Sequence, residues 1–139
     1  MIKESLYYGK ILLFGEYGII QDSMGLSIPY TDYNGKFLFE NNTEESKNSN
    51  LLLIDFYNHL LILQNKNELP CNLDLNQLKS DLDNGLHFDS SIPQGFGIGS
   101  SGAIVAAIYD RYCIEKKIDA ESQISNENIL ELKNTCLLY

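Results

Sequence analysis

Three glycines at alternate positions, Gly95, Gly97 and Gly99, followed by Ser100, Ser101 and Gly102, are the residues here whose types and spacing could do chemistry. They lie in the stretch Pro93 to Ala107, PQGFGIGSSGAIVAA. Glycine lets backbone N–H groups turn inward with no Cβ in the way. The apolar run from Ala103 to Tyr109 then reads as a helix, whose positive N-terminal end points at whatever the loop encloses. A loop of this kind ahead of a helix makes an anion site, most often for phosphate. The plainer reading is a glycine-rich turn before a buried helix.

Three kinds of phosphate loop compete for this stretch. A Walker A loop needs a lysine after its last glycine, and none follows here. A dinucleotide fingerprint, G-x-G-x-x-G, is present as Gly97 to Gly102. That motif should close a hydrophobic strand and be followed roughly 20 residues on by an acidic residue ending a second strand. The entry here, Ser90 to Gln94, is polar and broken by Pro93, and Ile114 to Glu121 has no strand character. A protein-kinase glycine loop lacks its accompanying V-A-I-K and H-R-D segments.

The pattern Pro93-x-Gly95-x-Gly97-x-Gly99-Ser100-Ser101, followed by a small-residue helix, resembles the central ATP-binding motif of the GHMP kinases, the superfamily of galactokinase, homoserine kinase, mevalonate kinase and phosphomevalonate kinase. A second stretch agrees with it. Gly9-Lys10-Ile11-Leu12-Leu13-Phe14-Gly15-Glu16 resembles the first motif of that superfamily in the style of mevalonate kinase. Lys10 and Glu16 fall where that motif has its lysine and glutamate. Taken alone, a lysine at a strand edge is a solvated charge. Across a strand pair, however, Lys10 and Glu16 could face one cavity, where Lys10 would bring positive charge to a phosphoryl group in transit. Tyr8 stands where the superfamily usually has proline, and Tyr17 where most mevalonate kinases have histidine. Tyr17 falls on the acceptor-substrate side, which leaves the acceptor open.

Positioning these motifs is the work of an ordinary globular composition. The 139 residues are 44% hydrophobic and 21% charged, enough for one domain with a core. A formal charge of −9 and the lack of any basic run argue against a nucleic-acid surface, while a local loop with Mg²⁺ can still hold ATP. No apolar stretch reaches membrane-spanning length, and Met1 to Glu4 lacks a signal-peptide layout, so a cytoplasmic setting is expected. Cys71, Cys113 and Cys136 are scattered and read as reduced thiols. His59 and His87 have no metal partner in sequence and read as structural.

Ser5 to Ile20 reads as two short strands broken near Gly9 and Gly15. Leu26 to Tyr30 and Gly35 to Glu40 read as two more, with hairpin-turn chemistry at Asp32-Tyr33-Asn34-Gly35. Asn41 to Asn50 is polar and reads as a loop. Leu52, Phe56, Leu60 and Leu63 recur at helical spacing within Leu51 to Leu63. Asp74 to Leu82 reads as a short helix ended by Asn84-Gly85. Leu86 to Ser91 is then a strand feeding the loop. Helices are expected over about Ser100 to Lys117 and Ser125 to Leu138.

The resemblance covers nearly the whole chain and implies an α+β fold. It would be the N-terminal ATP-binding domain of a GHMP kinase, with a left-handed βαβ unit and a mixed sheet packed by helices, over residues 1–139. It implies ATP and Mg²⁺ as cofactors and phosphoryl transfer to the hydroxyl of a small molecule, mevalonate or a related alcohol. By the same resemblance Pro93, Gly95, Gly97, Gly99, Ser100, Ser101 and Gly102 hold the nucleotide phosphates, and Ser101 contacts the metal with Ser100 as its partner. Catalysis would rest on positioning and charge neutralisation. Members of the superfamily also use a catalytic aspartate and a third glycine-rich motif that this sequence does not contain. Asp110, Glu115, Asp119 and Glu131 lie in the wrong context to replace them. The expectation is therefore a truncated chain that binds nucleotide weakly without turnover and exposes an apolar domain face through which it could self-associate. Two other classes stay open. One is a noncatalytic binding protein on the same fold, for which Lys10→Ala and Ser101→Ala would be silent. The other is a dinucleotide-binding oxidoreductase domain, for which NADH would bind and Mg-ATP would not compete.

Overall fold

The computed structural model describes residues 5–14, 26–40 and 42–115. Over these the chain is α+β, in the order β1 (Tyr7–Phe14), β2 (Leu26–Leu38), α1 (Glu44–Asn65), α2 (Leu75–Asp83), β3 (His87–Ser90) and α3 (Ser100–Tyr112). The three strands form one sheet in the order β1-β2-β3, and both pairings are antiparallel. A mixed sheet was expected; among the described residues no parallel pair occurs.

β1 runs unbroken through Gly9, where two short strands were expected. The hairpin expected at Asp32 to Gly35 is absent too, because Leu26 to Leu38 is one strand of 13 residues. Tyr8 pairs with Asn34 and Gly9 with Tyr30, so residues 31–33 bulge out of the ladder. A tight hairpin of the primed type needs positive φ at its central residues, and neither Asn34 nor Gly35 has it. Gly35 answers to space instead: a Cβ there would run into the Phe88 ring. Pro29 fits within β2 because, among the described residues, only β1 pairs with that half of the strand.

α1 begins two turns before its apolar residues. Thr43 caps it: its Oγ1 accepts from the Ser46 amide, and the Ser46 hydroxyl oxygen accepts from the Thr43 amide, both at 3.1 Å. Hydrophobic periodicity is blind to those polar turns, which is why 41–50 reads as a loop from sequence. The buried stripe is Ser46, Asn50, Leu53, Phe56 and Leu60, while Leu52 is 60% exposed. Asn50 donates from Nδ2 to the carbonyls of Leu82 and Leu86, at 3.2 and 2.6 Å. Ser49 Oγ bridges the backbone N–H and C=O of Phe88, both at 3.0 Å. These contacts pin α1 to the α2–β3 turn and to β3.

α2 follows the sequence reading, with Asp74 accepting from the Gln77 amide at 2.9 Å and Gly85 at φ +87° beyond its end. Its buried face carries Asp81 as well as Leu75, Leu78 and Leu82. α3 stops at Tyr112, short of the expected Lys117, because Cys113 is extended and pairs with Leu73 in an isolated antiparallel bridge. One core, including Leu53, Leu60, Leu78, Phe88, Ala107 and Tyr112, gathers the three helices against the sheet. The helix expected over Ser125 to Leu138 lies outside the described residues. On the β1–β2 ribbon Ile11 faces Ile28 across the pair, and both stay exposed together with Leu13 and Leu26. No helix among the described residues is long and apolar enough to cross a membrane.

Candidate functional site

The glycine loop is held at both ends. At its entry Ser91 locks onto the β2 bulge: its amide donates to Asn34 O at 2.9 Å and its Oγ accepts from the Asn34 amide at 3.0 Å. Ile92, the next residue, is buried. At its exit the Lys10 amide donates to Ile98 O at 2.8 Å. Gly9 makes that approach feasible, since a Cβ there would stand 3.0 Å from both Ile98 Cγ2 and Ile98 O. The two sequence motifs, far apart in the chain, thus meet at β1.

Between these anchors Gly95, Gly97 and Gly99 all have positive φ, at +81°, +69° and +83°, the left-handed region that favours glycine. Gly99 is the N-cap of α3 and offers no side-chain cap. The first backbone bond of the helix runs from the Ala103 amide to Gly99 O at 3.0 Å, so the amides of Ser100, Ser101 and Gly102 have no partner within the helix. Lys10 lies across this end. A Cβ on Gly99 would stand 2.7 Å from Lys10 Cγ, and one on Gly102 would stand 4.0 Å from Lys10 Nζ. An ammonium group and the positive end of a helix dipole are therefore side by side. Among the described residues no carboxylate forms an ion pair with Lys10. Open helix-end amides beside an ammonium group are an arrangement that can take a polyanion.

A cleft of about 520 Å³ opens beside the loop, lined in part by Ser49, His87, Asp89, Gln94, Ser100 and Ile104. Gln94 and Ser100 belong to the loop and to the start of α3, so the cleft continues from the anion-binding end. Sequence reading missed this cleft; the Thr43 capping box, which places the N-terminal turns of α1 beside β3, was the signal for it. Ser101 is exposed, whereas Ser100 is half-buried. Glu16 and Tyr17 lie outside the described residues. His87 is buried, with Nδ1 3.3 Å from Gly85 O, and His59 is exposed on α1. No cluster of three or more His, Cys, Asp or Glu stands ready for a metal among the described residues.

The two acidic groups near α3 have structural partners. Asp110 accepts from the Tyr7 hydroxyl at 2.7 Å, and it lies about 15 Å along the helix from the loop. Asp81 is buried and accepts from Arg111 Nε at 3.0 Å, from an Arg111 terminal nitrogen at 2.9 Å and from the Tyr112 hydroxyl at 2.7 Å. Its other oxygen accepts from Gln77. Burial, reinforced by Asp81, pushes the Tyr112 phenol well above its ordinary range. Burial and the bond to Asp110 do the same to Tyr7.

Comparison with protein-family models, with curated proteins and with solved structures returned no match. Among the described residues β3 pairs only antiparallel, with β2, and no parallel βαβ unit of the kind on which a dinucleotide fingerprint acts occurs there.

Proposed function

We propose that this chain carries the ATP-binding part of a small-molecule kinase of the GHMP type, which transfers the γ-phosphoryl of ATP to the hydroxyl of an alcohol such as mevalonate. The observation that carries the reading is Lys10 laid across the open N-terminus of α3, beneath a loop with three left-handed glycines. The amides of Ser100 to Gly102 and the Lys10 ammonium supply the positive field that a triphosphate requires. Pro93 and the loop backbone set its path. The serine hydroxyls are hard oxygen donors of the type Mg²⁺ accepts, with Ser101 as the contact and Ser100 as its partner. Mg²⁺ supplies charge neutralisation between the phosphates when bound. Glu16 and Tyr17, outside the described residues, are assigned by the same reading a catalytic role and an acceptor-side role. The reading implies the GHMP fold for the whole domain and a cytoplasmic setting.

Equilibrium dialysis against labelled ATP, with and without Mg²⁺, tests the proposal. Saturable binding displaced by inorganic triphosphate is expected. Binding of NADH in preference to ATP would refute it.

A further inference from the structure

The glycine loop has two rigid ends and a free tip. Ser91 is tied to Asn34 and Ile98 to Lys10. Between them, a Cβ placed on Gly95 or on Gly97 would meet nothing within 4 Å, so there is open space beside both glycines. Phe96 sits between these two glycines and is 77% exposed, the most exposed large apolar side chain among the described residues. A lone exposed apolar residue is unremarkable on most surfaces. This one is flanked by left-handed glycines and lies in the short loop between Gln94 and Ser100, both of which line the cleft. A ligand with its phosphates at the amides of Ser100 to Gly102 and its remainder in the cleft would run alongside the loop that carries this ring.

We propose that Phe96 is a ligand-contact residue that swings down on the Gly95 and Gly97 pivots and stacks on the nucleobase of the bound nucleotide. This rests on the ATP-site reading above and adds to it a base-dependent contact. Stacking of an aromatic side chain on a base is tolerant of base identity and loses binding when truncated. The contact therefore favours nucleotides over bare polyphosphate.

The chain contains no tryptophan, so Phe96→Trp introduces a single reporter at an exposed position. The expected result has three parts. Calorimetry shows wild-type chain binding Mg-ATP. Emission of the introduced indole moves to the blue, and its quenching by iodide falls, with Mg-ATP but not with Mg-triphosphate. Phe96→Ala weakens Mg-ATP about tenfold and leaves Mg-triphosphate unchanged. If wild-type chain binds Mg-ATP while the indole stays quenchable and Phe96→Ala binds as tightly, the stacking role is overturned and the site stands. If wild-type chain binds neither ligand, both readings fall.

Discussion

Gly99 shows how tightly one residue can be constrained. It must adopt φ +83° to cap α3, and the Lys10 side chain occupies the space a Cβ would need. Gly99→Ala is therefore expected to cost about 1–2 kcal/mol from the left-handed backbone alone. It should also displace Lys10 and weaken ATP binding; urea unfolding and a nucleotide titration on the same variant separate the two effects. Two hydrogen-bonded phenols, Tyr112 buried and Tyr7 half-buried, give a second test at this scale. Tyr7 and Tyr112 have raised pKa values in the folded chain, so above the ordinary tyrosine value the unfolded chain binds fewer protons than the native one. Their contribution to stability is complete below pH of about 10 and is lost as pH climbs beyond it. Urea midpoints measured from neutral to strongly alkaline pH should fall only in that upper range. An unchanged midpoint there would contradict the bonding described for both hydroxyls.

Among the elements, α2 and α3 are joined by charge as well as by apolar contact. Asp81 of α2 gathers Arg111 and Tyr112 of α3, and the Arg111 guanidinium also lies over the Phe39 ring, 5.5 Å from its centroid. Asp81→Ala leaves a partly buried cation and a buried hydroxyl without their acceptor. A loss of about 3 kcal/mol is expected, read as a lowered urea midpoint, with Asp81→Asn falling between it and wild type. Sequence periodicity found α2 and β3 nearly to the residue, because apolar spacing and the Asn84-Gly85 stop coincide there. It failed at α1, whose first turns are held by Thr43, Ser49 and Asn50 through hydrogen bonds that leave no apolar trace. It failed at β2 for another reason: Asp32, Asn34 and Gly35 carry turn chemistry, yet the pairing of Gly35 with both Tyr7 and Ser90 draws them into one strand. The loop glycines and Lys10 were legible as motifs. Their meeting at Ile98 was not, since it depends on Gly9 accepting the loop against its bare Cα.

At the scale of the whole molecule, the sheet sets β1 and the end of β3 on either side of Gly35 in β2, and the loop joining β3 to α3 crosses to β1. The fold thereby puts the lysine of one motif and the open amides of the other at a single point, with a cleft running on from it. A chain of net charge −9 gains a local positive site by concentrating one ammonium and one helix dipole there, where the general field would repel a polyphosphate. Calorimetric titration of Mg-ATP into wild-type chain and into Lys10→Gln tests that claim most directly. Saturable one-to-one binding that weakens with added salt is expected, and at least about tenfold weaker binding for Lys10→Gln, as loss of a charge-assisted contact implies. Equal affinity for the two proteins, or no binding by wild-type chain, would contradict it.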